Sequence, residues 1–303
     1  MGINITDLVK PCYKPIPVES LKNKIITIDA FNWIYQFLAT IRGVDGNPLK
    51  DFQNRVTSHL NGLFYRNIYL LKQGIKPIYV FDGKPNPLKQ IEIAKRRELR
   101  KIAEQKVEEI KETATQQEIK TYAQSTSRLT SDMITDAKAL ITALGIPIVQ
   151  AIEDGEAQAS MMIQHGHALA CGSQDYDAFL FGANRIVRNL SVGMSRIIKG
   201  RSVKTEIEYY SMEKVFPHLA ITREQLVDMG ILIGVDFFAG IKGIGAKTAL
   251  ELISKYQNIE TIIAQKHDQY DFHALTPGFI GSVRDIFLQP KYTAEFSLQW
   301  KRL

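Results

Sequence analysis

The chain has 303 residues, of which 45% are hydrophobic and 23% charged, with a formal net charge of +6 and a pI near 9.1. That apolar content supports a sizeable core in one large or two modest domains and excludes a chain disordered throughout, while the mild basicity suits a polyanionic partner without establishing one. Two cysteines, Cys12 and Cys171, exclude a disulfide framework and a cysteine-built zinc site and point to a reducing compartment, cytoplasmic or, in a eukaryote, nuclear.

The first residues, MGINITDLVK, lack the apolar stretch of a signal peptide. They match the short M-G-x-x-x-[ST] myristoylation pattern, but no polybasic segment adjoins it, and a processed terminus starting at Gly2 is the simpler reading. No apolar run reaches the roughly 18–20 residues that a membrane span needs. A β-branched run at 24–28 predicts a buried strand and leads into Asp29. Residues 52–73 predict an amphipathic helix closed by Gly74, and 77–81 a second strand leading into Asp82. From Pro87 to about Ser125 the chain is long, charged and poor in large apolar residues. Nine basic and five acidic side chains fall between 84 and 111, so an excess of four out of the chain's six lies in that stretch. In isolation this reads as a solvated helix with i,i+4 ion pairs; the sharper reading is an arch over an active site.

A helix at 132–144 ends at Gly145, and a third strand at 146–152 runs into Glu153, Asp154 and Glu156. A fourth strand at 168–172 precedes Asp175 and Asp177, and a fifth is expected at 185–190. A helix at 222–234 comes just before Asp236; the glycine-rich stretch 240–245 and a helix at 247–256 follow. Alternating strands and helices predict an α/β fold, a central and mostly parallel sheet flanked by helices.

In such a sheet, sites form beyond the carboxyl ends of the strands, so these carboxylates converge on one rim. Each alone is as well explained as a helix cap or turn former, and Asp29 and Asp82 divide evenly between cap and ligand. Four strand ends that all carry carboxylates, with the pairs Asp154/Glu156 and Asp175/Asp177, are harder to dismiss. Like charges so placed repel one another, and hard divalent cations relieve that cost; oxygen-only ligands suit Mg²⁺ or Mn²⁺. His165 and His167, with no cysteine partners, look structural.

The strings IDAFNWIYQFL, RVTSHLNGLFYR, GIKPIYVFDGKPNPLK, EDGEAQA, SQDYDAFLFGANRIVRNL and GVDFFAGIKGIGAKTALELI resemble, in this order and over nearly the whole chain, the flap endonuclease family of structure-specific 5′ nucleases, the archaeal branch above all. The resemblance implies that Asp29, Asp82, Asp154, Glu156, Asp175, Asp177 and Asp236 bind two Mg²⁺, with Mn²⁺ able to substitute. It implies that Lys89 and Arg96, two helical turns apart, assist catalysis at the scissile phosphate from the base of a helical arch. Tyr35 matches an aromatic that stacks on a base, an ordinary core aromatic being the alternative. Gly240, Ile241, Lys242, Gly243, Gly245 and Lys247 match a DNA-binding helix–two-turn–helix element whose loop takes K⁺, and Gly2 is a further DNA contact. Arg55, Thr57, Ser58 and His59 fall in a shared string expected near the duplex.

By this resemblance residues 1–303 form a single nuclease domain: an N-terminal region at 1–84, the arch at 85–130, an internal region at 131–236, the helix–two-turn–helix region at 221–265 and a C-terminal segment at 266–303. The expected function is cleavage of 5′ flaps in branched DNA, with 5′-3′ exonuclease activity, in Okazaki fragment processing and repair, with no membrane partner. A catalytically weak DNA-binding protein or scaffold of the same fold is the competing reading. Three departures stand out. Asp154 replaces the family's usual Glu, leaving Glu153 as an alternative ligand; Phe237 stands where Tyr is common; and Ala246 stands where Pro is frequent. The tail that binds the sliding clamp is missing, because the chain stops at QWKRL and residues 289–296 fit the clamp-binding pattern poorly. Either the sequence is cut short, or the remainder is encoded separately, or a clamp is not engaged in that way.

Overall fold

The computed structural model describes residues 2–43, 46–90, 129–191, 195–198 and 201–301. Most of the expected arch, including Arg96, lies outside the described residues. The strands are β1 (Lys14–Ile16), β2 (Ile25–Asp29), β3 (Lys76–Phe81), β4 (Ile148–Gln150), β5 (Ala170–Gly172), β6 (Arg185–Arg188), β7 (Ser195–Ile198), β8 (Arg201–Lys204) and β9 (Ile207–Ser211). Seven of them form one sheet in the order β1-β9-β6-β5-β2-β3-β4, while β7 and β8 pair separately. The run from β6 to β4 is parallel, and β9 lies antiparallel to both β6 and β1.

The helices are α1 (Thr6–Val9), α2 (Ala30–Thr40), α3 (Ser58–Lys72), α4 (Ser131–Ala143), α5 (Gly155–Gln164), α6 (Asp177–Leu180), α7 (Met212–Leu219), α8 (Arg223–Ile233), α9 (Ala246–Tyr256), α10 (Ile259–Lys266) and α11 (Pro277–Leu288). The sheet separates two apolar cores. Along β3, Ile78 and Val80 enter the core shared with α5, α6 and α8, while Tyr79 and Phe81 enter the other, with Trp33, Leu63 and Ile141 of α2, α3 and α4. That alternation follows the two-residue period of a strand; a sheet covered on both faces reads as continuous apolar runs, which is why the parallel strands were visible in the sequence.

The expected helix at 52–73 starts later, at Ser58. Asp51 accepts the N–H groups of Gln53 and Arg55 on one oxygen, at 2.9 Å each, and Asn54 takes a positive φ of 62°, so this stretch folds as a side-chain-closed turn instead. The expected strand at 146–152 narrows to β4, and the antiparallel strands β1 and β9 had no counterpart in the sequence reading. Helix α8 matches its expected span, opened by a capping box between Thr222 and Gln225 and closed at Gly234.

Candidate active site

Chain order moves outward from β2 to β3 and β4, then returns to β5 on the other side of β2. The crevice at that reversal is where an open α/β sheet accepts a ligand. Asp29 ends β2 and caps α2, accepting the N–H of Asn32 at 3.0 Å. The Asn32 amide in turn donates to Asp175 Oδ2 at 2.9 Å, bridging the crevice from β2 to the loop after β5. Asp82, just past β3, accepts the N–H of Gly155 at 2.6 Å. A Cβ at position 155 would lie 2.7 Å from Asp82 Oδ1, so only glycine lets α5 begin this close to β3.

Asp154 is the N-cap of α5. Its Oδ1 accepts the N–H groups of Glu156 and Ala157 at 2.8 and 3.0 Å, and its Oδ2 is ion-paired with Lys89. Asp177 accepts the N–H of Ile3 at 2.6 Å, which draws the N-terminal segment against the site; a Cβ on Gly2 would fall 2.8 Å from Asp177 Oδ1 and 2.9 Å from Asp175 Cβ. Glu156 is buried, and its Oε1 has no hydrogen-bond partner.

The electrostatics follow from this packing. Burial raises the Asp29 carboxyl to about 7, and the charges of Asp154 and Asp175 add to the rise while the Asn32 N–H opposes it. Burial raises Asp177 to about 7 as well, with Asp236 the next cause. Asp82 is pushed up by burial and then by Asp29 and Asp154, and Glu156 by burial and then by Asp177 and Asp175. Burial acts on Asp154 too, but the Lys89 ammonium and two backbone N–H groups outweigh it and hold that carboxyl below its usual range. Burial would lower Lys89; Asp154, Asp236 and Asp82 raise it instead, so the ammonium stays charged. Its Nζ also lies 5.9 and 6.0 Å from the ring centroids of Phe181 and Phe237.

The carboxylates therefore interact as one group, although among the described residues no three acidic, histidine or cysteine side chains are drawn tightly enough together to grip one ion. Among the described residues the Lys89 ammonium is paired with Asp154, while Asp29, Asp82, Glu156 and Asp177 are all pushed up. Anionic oxygen donors, one of them buried without a partner, are the donor set that hard divalent cations satisfy.

Other expected residues divide. Tyr35 is exposed on α2. Glu153 is paired with Lys291 at 2.8 Å. Ser58 and His59, expected near a duplex, are fully buried: the Ser58 hydroxyl donates to the Ile41 carbonyl and accepts the Leu49 N–H, so both residues belong to the packing of α3. His165 stacks on Tyr292 at 5.4 Å and His167 meets the edge of Phe296 at 5.1 Å, which makes them structural. In the glycine-rich loop, Gly240 has φ 78°, and a Cβ there would lie 2.3 Å from the Ile233 carbonyl, so this glycine serves the loop's own closure. Ile241 is buried; Lys242, Gly243, Gly245 and Lys247 are exposed, and nothing lies within 4 Å of a Cβ at Gly245, the N-cap of α9. Asn32 and the Ile3 N–H were missed by sequence reasoning; the only signal for Asn32 is its place three residues after a capping aspartate.

Two family profiles match this chain: the XPG N-terminal domain over residues 1–103 and the XPG I-region over residues 145–236. The fold is shared with solved nucleases. The flap endonuclease-1 from Methanococcus jannaschii superposes with a TM-score of 0.73 at 34% identity, over 99% of this chain and 88% of that one. A catalytic core of Rad2 in complex with DNA substrate gives 0.75 at 25%, over 99% and 90%. Sheet, crevice and acidic rim thus define a nuclease of the XPG class. The Flap endonuclease 1 of Methanobrevibacter smithii is 43% identical over 302 residues, covering all of this chain and 87% of the relative, and that of Pyrococcus horikoshii is 45% identical over 304 residues, covering 99% and 85%. The chain belongs to the flap endonuclease family: it is a structure-specific nuclease of DNA processing, and its class uses divalent metal ions.

Proposed function

We propose that this nuclease cuts 5′-flapped DNA at the single-strand/duplex junction, endonucleolytically and from 5′ ends, in Okazaki fragment processing and repair. One observation carries the site: Glu156 buries an unpartnered oxygen among carboxylates driven upward by burial and mutual repulsion. Asp29, Asp82, Asp154, Glu156, Asp175, Asp177 and Asp236 would hold two Mg²⁺, with Mn²⁺ as substitute. Bound there, divalent ions supply an activated water and stabilise charge on the scissile phosphate.

The chain's own groups do the rest. The Lys89 ammonium, held on Asp154 in the free protein, is a cation placed for an incoming phosphate oxygen, and Arg96 of the arch would join it. Asn32 ties Asp175 and Asp29 to one residue, donating its side-chain amide to the first and its backbone N–H to the second. Tyr35 offers an exposed ring to a base, and Gly2 borders the Asp175/Asp177 pair. The open backbone at Gly243 and Gly245, with Lys242 and Lys247, suits a duplex phosphate at the start of α9, with K⁺ between loop and phosphate. Recognition is of shape, since phosphate contacts carry no base information.

The test is cleavage of a labelled double-flap DNA with and without Mg²⁺, beside Asp175→Ala. Metal-dependent cutting at the flap base, lost in the variant, is the expected result. Tight, salt-sensitive binding without cutting would favour the scaffold reading, and neither binding nor cutting would overturn the proposal.

A further inference from the structure

Beyond α11 the chain runs without helix or strand through residues 290–301, yet it is held closely along the outer edge of the sheet. Lys291 meets Glu153 at 2.8 Å. Thr293 exchanges two hydrogen bonds with the buried Gln158 side chain: its N–H donates to Oε1 at 2.6 Å, and its carbonyl accepts from Nε2 at 3.0 Å. Its hydroxyl donates to the Gln150 carbonyl at 2.9 Å. Farther on, the Trp300 indole donates to the Pro77 carbonyl at 3.0 Å, and the Lys301 N–H to the Gly145 carbonyl at 3.0 Å. The segment therefore runs past the edge strand β4, from the Gln150 carbonyl at its end to the Gly145 carbonyl ahead of its start.

Edge protection alone would be met by the apolar anchors Phe296, Leu298 and Trp300, which pack on the core. The polar contacts of Lys291 and Thr293 fall elsewhere: all end on residues 150–158, the stretch that carries Asp154 and Glu156. The same stretch is held from its other side by the loop after β3: the Gly83 N–H donates to the Glu153 carbonyl at 2.8 Å, the Lys84 N–H to the Ile152 carbonyl at 3.0 Å, and the Gln150 amide to the Asp82 carbonyl at 2.6 Å. Gln158 sits four residues after Asp154, one turn along α5, so fixing its side chain fixes the rotation of the turn that bears both carboxylates.

We propose that the C-terminal strap, through Lys291 and Thr293, is a positioning element for Asp154 and Glu156 and thereby sets the divalent-metal affinity of the site. The inference rests on the carboxylate reading above. Outer partners of metal ligands typically change affinity or activity by roughly 10–100-fold when removed.

The full chain carries the test, with Mn²⁺ titrated by calorimetry in the absence of DNA and thermal melting run beside it. Gln158→Leu is expected to weaken Mn²⁺ binding about tenfold or more. Thr293→Val and Lys291→Ala should weaken it less, in the same direction, while Thr293→Ser, which keeps the hydroxyl, should bind as the parent does. Raising Mg²⁺ should restore cleavage in the weakened variants. Should Gln158→Leu fail to fold, Thr293→Val and Lys291→Ala make the same comparison. Variants that melt earlier but bind Mn²⁺ like the parent would overturn the strap's role and leave the carboxylate reading standing. A parent protein that binds no Mn²⁺, indistinguishable from Asp175→Asn, would overturn both.

Discussion

The side chain of Asp154 divides its oxygens between two tasks, one toward the first N–H groups of α5 and one toward Lys89. An aspartate reaches those N–H groups as an N-cap; a longer glutamate is a poorer cap at this position. Asp154→Glu should therefore lower the stability of the metal-free protein by about 1 kcal/mol, read from the denaturant midpoint. An unchanged midpoint would mean that the cap contributes nothing. Protonation gives a second expectation at this scale. Asp29 and Asp177 sit at about 7 in the folded protein, against about 4 for an unfolded aspartate. The folded state thus keeps protons that the unfolded state has released, so metal-free stability falls as pH rises from about 4 through about 7, and Asp82 and Glu156, also pushed up, add to the fall. Asp154, held low, acts in the opposite sense but is one group against several. Divalent ions replace those protons, so Mg²⁺ should raise the melting temperature more at pH 8 than at pH 5. An equal rise at both pH values would count against a metal site built from these groups.

At the scale of elements, the helices after β9 form a unit braced by a buried charge. Asp228 of α8 is 3% exposed; it accepts the Ile259 N–H at the start of α10 and two bonds from the Arg284 guanidinium of α11, at 2.8 and 2.7 Å. Arg284 also holds Glu260 at 2.6 Å. Replacing Arg284 with Met would strand the Asp228 carboxylate, at a cost of about 3 kcal/mol, seen as a shifted denaturation midpoint. Because α8 leads into the glycine-rich loop and α9, the variant should also bind duplex DNA more weakly. Duplex affinity equal to the parent's would mean that this brace does not position the loop.

For the whole molecule, the net charge of +6 and the basic excess between 84 and 111 imply that DNA affinity falls steeply with salt. Each phosphate contact should add close to −0.9 to the slope of log affinity against log salt on duplex. Fluorescence anisotropy with a flapped substrate between 50 and 200 mM KCl reads that slope, and a flat response would exclude a phosphate-dominated interface.

How much of this was legible follows from range. The parallel strands could be read because burial on both faces leaves unbroken apolar runs, and the acidic positions because every parallel strand of an α/β sheet points its carboxyl end to the same rim. Helix α8 was legible from its cap and its closing glycine. What tertiary structure alone decided depends on residues far apart in the chain. The short strand β1 has no local pattern and exists through pairing with β9, some 190 residues later. The start of α3 was set by the Asp51 turn rather than by periodicity. Asn32 became a partner of Asp175, and Thr293 of Gln158, only once β2, β5, α5 and the strap were packed side by side. Chemistry that needs a residue type at a strand end is written locally, whereas the orientation of that residue comes from neighbours that folding alone brings within hydrogen-bond reach.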